Sequence, residues 1–146
     1  LLLLPPPPPP GIHYRYIGTV RLEGKREIFR LYEILTDENS VRLTTAGALA
    51  TALEHFERGR IDKAERAFEN LAALNGDDRV AQIFASACRL VASTGVSLDS
   101  TNWDGVLPLT KAGEPLAPQF ATSPQQRPPL DRSASTIGTG AADAAA

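Results

Sequence analysis

The sequence predicts an α+β fold: an N-terminal β-hairpin followed by a three-helix bundle, set between disordered termini. Three observations carry this. Residues 11–35 are rich in aromatic and β-branched side chains on either side of Glu23-Gly24, the composition of two strands joined by a turn. Residues 46–74 place Leu49, Leu53 and Phe56, then Ala64, Ala67, Phe68, Leu71 and Leu74, at helical spacing. All 12 prolines lie in residues 5–10 or from Pro108 onward, so Gly11–Leu107 is a proline-free block able to pack.

Residues 1–10, LLLLPPPPPP, form a low-complexity segment whose prolines favour a stiff polyproline II rod, a linker before it is a ligand for an SH3-like groove. Within residues 11–35, a two-residue loop at Glu23-Gly24 pairs Leu22 with Lys25, Val20 with Glu27, Gly18 with Phe29 and Tyr16 with Leu31. That register gathers Tyr16, Val20, Leu22, Phe29 and Leu31 on one face and lays Phe29 over the bare backbone of Gly18. Ile17, Ile28, Tyr32 and Ile34 share the other face with Arg15, Arg21 and Arg30. A lone two-stranded hairpin is marginal in water, so the expected home of this one is a larger sheet outside the sequence.

Residues 36–42, TDENSVR, read as a polar connector, and residues 43–111 as a helical extension. Gly59 offers the left-handed residue that ends the first helix. Asp62 reads as the next N-cap, with Glu65 completing a capping box. Ala52 and Ala64 permit close approach of the two helices, with Phe56 and Phe68 filling the seam. A third helix runs from about Arg79 to Ala92, with Asp77 or Asp78 as its cap and a stripe of Val80, Ile83, Phe84, Ala87, Leu90 and Val91. Trp103-Asp104-Gly105-Val106-Leu107 is a short clamp whose indole gains by packing back on the helices. From Ala112 to residue 146, Pro, Ala, Ser, Thr and Gly predominate and predict disorder.

A net charge of −2 argues against broad nucleic-acid binding, and no run of Lys or Arg suggests a membrane surface. Four leucines are far short of the roughly twenty apolar residues that span a bilayer. A single cysteine, Cys88, excludes an internal disulfide, suits a reducing, cytoplasmic setting and reads as a buried structural thiol. The absence of methionine predicts a fragment or processed piece.

No catalytic constellation emerges. His13 and His55 lack Cys or carboxylate partners at ligand spacing, so neither metal nor cofactor is expected in this chain. The phosphate-binding and nucleophile-elbow motifs are missing. Asp77 and Asp78 are ordinary helix-start residues, and Arg58, Arg60 and Lys63 form a basic cluster that reads as a solvated turn.

RYIGTVRLEGKREIFRLYEIL resembles the closing hairpin of class III adenylate/guanylate cyclase catalytic domains, which commonly end in G-x-V-x-x-K-G-K followed by Y-x-V. The amphipathic pair ALATALEHFERGRIDKAERAFENLAAL is similar to the tetratricopeptide-like C-terminal extension of bacterial members. Cys88-Arg89, then Trp103-Asp104-Gly105-Val106 and Leu109-Thr110-Lys111, follow in the same order. The resemblance spans about Tyr14 to Lys111.

It implies a ferredoxin-like cyclase core that makes cyclic AMP or cyclic GMP with two Mg²⁺ or Mn²⁺ ions. The family's metal-binding aspartates, base-selecting residues and transition-state Asn/Arg pair all lie upstream of the hairpin, without counterparts here. Its usual phosphate-reaching lysine falls at Glu23, which leaves Lys25 as the candidate nucleotide-phosphate contact, with Arg21 nearby. On this reading the chain is structural and inactive alone. Its partners are the remainder of a cyclase domain and a second subunit of the homodimeric parent. The alternative is a small helical interaction module that binds a peptide segment in a groove beside Phe56 and Phe68.

Overall fold

The computed structural model describes residues 6–117. The expectations for the first five residues and for residues 118–146 lie outside that range. The architecture is α+β: strands β1 (Ile12–Leu22) and β2 (Ile28–Thr36), helices α1 (Ser40–Thr44), α2 (Ala46–Glu57), α3 (Ile61–Leu74) and α4 (Arg79–Ser93), and a short strand β3 (Leu107–Leu109).

The sheet has the order β2-β1-β3, with β2 antiparallel and β3 parallel to β1. The third strand corrects the expectation that any larger sheet lies outside the sequence. Val20, Arg21 and Leu22 pair with Leu107, Pro108 and Leu109. Pro108 is tolerated because β3 is an edge strand.

The hairpin register differs from the expected one. Val20 faces Phe29, Gly18 faces Leu31 and Tyr16 faces Tyr32, with a bulge between Tyr16 and Gly18. The turn explains the shift. Lys25 N–H donates to Leu22 O at 3.0 Å and Gly24 takes φ +79°, whereas Glu23 keeps a negative φ. That geometry excludes the type I′ turn of a two-residue hairpin, and a type II turn splays its strands. The end of β1 turns instead to β3, where Glu23 N–H donates to Leu109 O at 2.8 Å.

Alternation along β2 therefore puts Phe29, Leu31, Glu33 and Leu35 on the helix-facing side. Tyr16 pairs with Tyr32 on the opposite side. Gly18 is covered by Phe84, not Phe29: a Cβ at Gly18 would lie 2.5 Å from Phe84 Cζ. Only a residue without a side chain lets α4 come this close to β1.

The helical hairpin forms as its sequence dictates. Leu49, Ala52, Leu53, Phe56, Ala64, Phe68 and Leu71 are buried in one core with Phe84, Cys88 and Val91. Phe68 stacks on Phe84 and Phe56 meets Phe84 edge-on, each at a 5.1 Å centroid distance. Leu74 leaves the expected stripe and is exposed. At the end of α2, Gly59 (φ +77°) donates to Phe56 O and Arg60 N–H to His55 O, a Schellman closure.

α3 begins two residues earlier than expected because Ile61 is drawn into the core. Arg60 is then the N-cap position and Asp62 sits in the first turn, so the Asp62–Glu65 capping box does not form. The connector contains the unexpected short α1. Asn39 precedes it with its side chain bonded back to Thr36 N–H.

Trp103 packs edge-on against Phe56 at 5.1 Å, and its indole N–H donates to Phe56 O at 2.8 Å. The expected tail boundary at Ala112 moves as well. Leu116 N–H donates to Pro108 O and Thr110 N–H to Glu114 O, which hold residues 112–117 beside β3.

Candidate interaction surface at the hairpin edge

The helices lean on β1, and β2 is the outer strand of the sheet. Along its outer side β2 has no backbone partner among the described residues. Its apolar side chains are open on both faces: Ile28 is 48% exposed, Phe29 40%, Leu31 37% and Ile34 68%. An unpaired, apolar edge strand is a template for another strand. On the far side of the sheet, β1 is covered by β3 over Val20–Leu22, and residues 12–19 have no strand partner there among the described residues.

Two charged side chains on β2 could guard that edge, and both are drawn elsewhere. The Arg30 guanidinium lies over the Tyr16 ring at 4.5 Å. Glu33 accepts from Arg15 Nε at 2.8 Å and forms an ion pair with Arg42. Tyr16 in turn donates to Glu57 and lies 2.6 Å from the Thr19 hydroxyl. Its burial, together with Glu57, pushes the phenol up to about 12.

Beneath the strand lies a polar knot that the sequence did not announce. Arg15 is 2% exposed and binds both oxygens of Asp78, at 2.8 and 3.1 Å. Burial raises the Asp78 carboxyl, but hydrogen bonds and charge from Arg15, with the Ala81 amide and Arg42, outweigh it and hold the group below its ordinary range. Burial likewise lowers Arg15, and Asp78 and Glu33 more than reverse it. Asp78 stands at the N-cap position of α4 as expected, and both its carboxylate oxygens bind Arg15, which ties the helix to β1.

Lys25 is in the exposed turn, beside Arg26, and Arg21 is paired with Asp104 at 3.2 Å. The two are not brought together on a common point. His13, read as lacking a carboxylate, lies 2.7 Å from Asp37. His55 is half-buried, and its Nδ1 lacks a hydrogen-bond partner among the described residues. Of the basic turn cluster, Arg58 pairs with Glu54 at 2.9 Å. Arg60 and Lys63 line a cleft of about 520 Å³ with Arg66, Val91, Val96 and Leu98.

Cys88 is fully buried. Burial above all, with Glu65 and Glu69 adding to it, pushes its thiol up to about 12. Among the described residues, no three His, Cys, Asp or Glu side chains converge to hold a metal ion. Phe56 and Phe68 are 1% and 0% exposed, so a segment laid beside the helices meets neither ring.

The fold and this surface define a class: a braced hairpin with an open apolar edge. Among the described residues no helix is long and apolar enough to cross a membrane. No protein-family model matches the chain, and no curated protein or solved structure is significantly similar to it.

Proposed function

We propose that the chain is a structural, non-catalytic part of a class III nucleotide cyclase, completing the catalytic sheet and bracing it with the helical extension. One observation carries this reading: the sheet is left open, with a nine-residue apolar strand at its edge. Such a strand gains from further pairing, whereas a self-contained domain would cover, shorten or charge it. The Arg15–Asp78 pair and the Phe84 contact at Gly18 give the hairpin a rigid back, as a brace requires. The buried Cys88 thiol suits a reducing, cytoplasmic setting.

The purified chain, incubated with ATP or GTP and Mn²⁺, is expected to form no cyclic nucleotide. Measurable turnover overturns the proposal. A cyclase domain with paired aspartates encoded immediately upstream in the source genome supports it, and helical repeats in that position sink it.

A further inference from the structure

We propose that the cleft between the start of α3 and the end of α4 is a binding site for a small organic phosphate, a dianion carrying an aliphatic body. The site stands apart from the open sheet edge and does not depend on the cyclase reading.

The cleft holds about 520 Å³, within the range of small-molecule sites. Its walls come from two parts of the chain. The turn after α2 and the first two turns of α3 supply Arg60, Ile61, Lys63 and Arg66, whereas the end of α4 and the loop beyond it supply Val91, Val96 and Leu98. Ile61 and Val91 are buried and Val96 and Leu98 half-buried, so the floor is aliphatic. The rim is cationic. Arg60, Lys63 and Arg66 are exposed, and Lys63 and Arg66, three residues apart, are neighbours on the surface of one helix.

Like charges set this close repel unless something negative comes between them. Cations elsewhere on the helices are answered: Arg89 pairs with Glu69, and Arg58, at the end of α2, with Glu54. Arg60, Lys63 and Arg66 have no ion-pair partner among the described residues. Asp62 shares the rim, one turn before Arg66, without pairing with it. Three cations against that one carboxylate leave an excess of +2 around the cleft, in a chain whose net charge is −2.

That excess selects the ligand. A phosphate monoester carries about −1.5 to −2 near pH 7 on a single head, and the arginine forks bind its oxygens in pairs. A dicarboxylate divides the same charge between two separated points. The aliphatic floor takes the ester group. No aromatic side chain lines the cleft, so a nucleobase finds nothing to stack on. A ligand seated there joins the α2–α3 turn to the loop that leaves α4.

The probe is n-butyl phosphate, titrated into the full chain and read from backbone amide shifts by NMR. Saturable shifts should fall within residues 59–66 and 91–98, and the affinity should drop as salt is raised, since exposed charges are screened. Inorganic phosphate, succinate and butanol, which lack the body, the single head and the charge in turn, should each bind more weakly. Lys63→Gln and Arg66→Gln change exposed positions and should each weaken binding about fivefold with the circular dichroism unchanged. Asp62→Asn should tighten it. Arg89→Gln removes the same charge outside the cleft and should leave binding as it is, which separates local contact from net charge.

Absence of saturable shifts, an equal loss in Arg89→Gln, weaker binding in Asp62→Asn, or inorganic phosphate or succinate binding as tightly as the ester overturns the proposal. Such a result sinks the cleft alone, whereas cyclic-nucleotide synthesis sinks the cyclase reading alone.

Discussion

Arg15 of β1 and Asp78 at the start of α4, 63 residues apart in the chain, meet in a buried two-point ion pair at 2.8 and 3.1 Å. The fork of the guanidinium matches the carboxylate and leaves Nε for Glu33. Strand and helix are thereby fixed in both distance and orientation.

Removing one partner should cost far more than removing both. Asp78→Ala leaves a buried guanidinium without its main counter-charge and should destabilise the fold by about 3–5 kcal/mol. The double variant Arg15→Met with Asp78→Leu should lose much less, as read from denaturant midpoints. The pH dependence has a definite sign. The folded-state pKa of Asp78 lies below its ordinary 3.8, so its contribution is complete above that pH and is lost as pH falls through the folded value. An acid titration of Asp78→Ala should lack this limb.

Gly18→Ala should cost about 2 kcal/mol or more, because the new methyl meets the Phe84 ring and φ is +116°. Adding Phe84→Leu should recover the steric part and leave the backbone part. Thermal melts of the single and double variants separate the two.

Trp103→Phe keeps the edge-on contact with Phe56 and loses the hydrogen bond to its carbonyl, a loss of about 1 kcal/mol. Trp103→Ala should cost about 2–3 kcal/mol, below the range for a fully buried aromatic because the indole is half-buried. Since this is the single tryptophan, wild-type fluorescence should report the same unfolding transition as circular dichroism.

Cys88 should resist a thiol reagent in the folded chain at pH 8 and react fully in denaturant. Its thiol is raised from 9.0 to about 12, so between those values the unfolded chain binds fewer protons. Stability must then fall as pH rises past about 9, and Tyr16, raised from 10.0 to about 12, adds to the decline above pH 10. Cys88→Ala should shift the onset of the alkaline loss upward.

The helices were legible because their signal is local. Leu49, Leu53, Phe56 and Phe68 repeat at the period of one turn, and Gly59 marks the break where the chain must take a positive φ. The hairpin was legible as two strands, but its register was not. Glu23-Gly24 suits both a type I′ and a type II turn, and the choice between them depends on β3, which arrives more than eighty residues later. Arg15 looked like one more outward arginine because nothing nearby names its partner, and Asp78 already had a sufficient local role as a helix-start residue. The candidate surface was half visible: Ile28 and Ile34 were expected on a mixed face, but the exposure of Phe29 and Leu31 follows from helices that cover β1 and stop short of β2.

The parallel pairing of Val20 with Leu107 has a consequence for biosynthesis. The first strand leaves the ribosome well before its C-terminal neighbour has been translated, and no local turn can bring the two together. Until then the β1 edge of the nascent hairpin is as unpaired as that of β2. A holding chaperone during translation would therefore matter more to the yield of this chain than its modest length suggests.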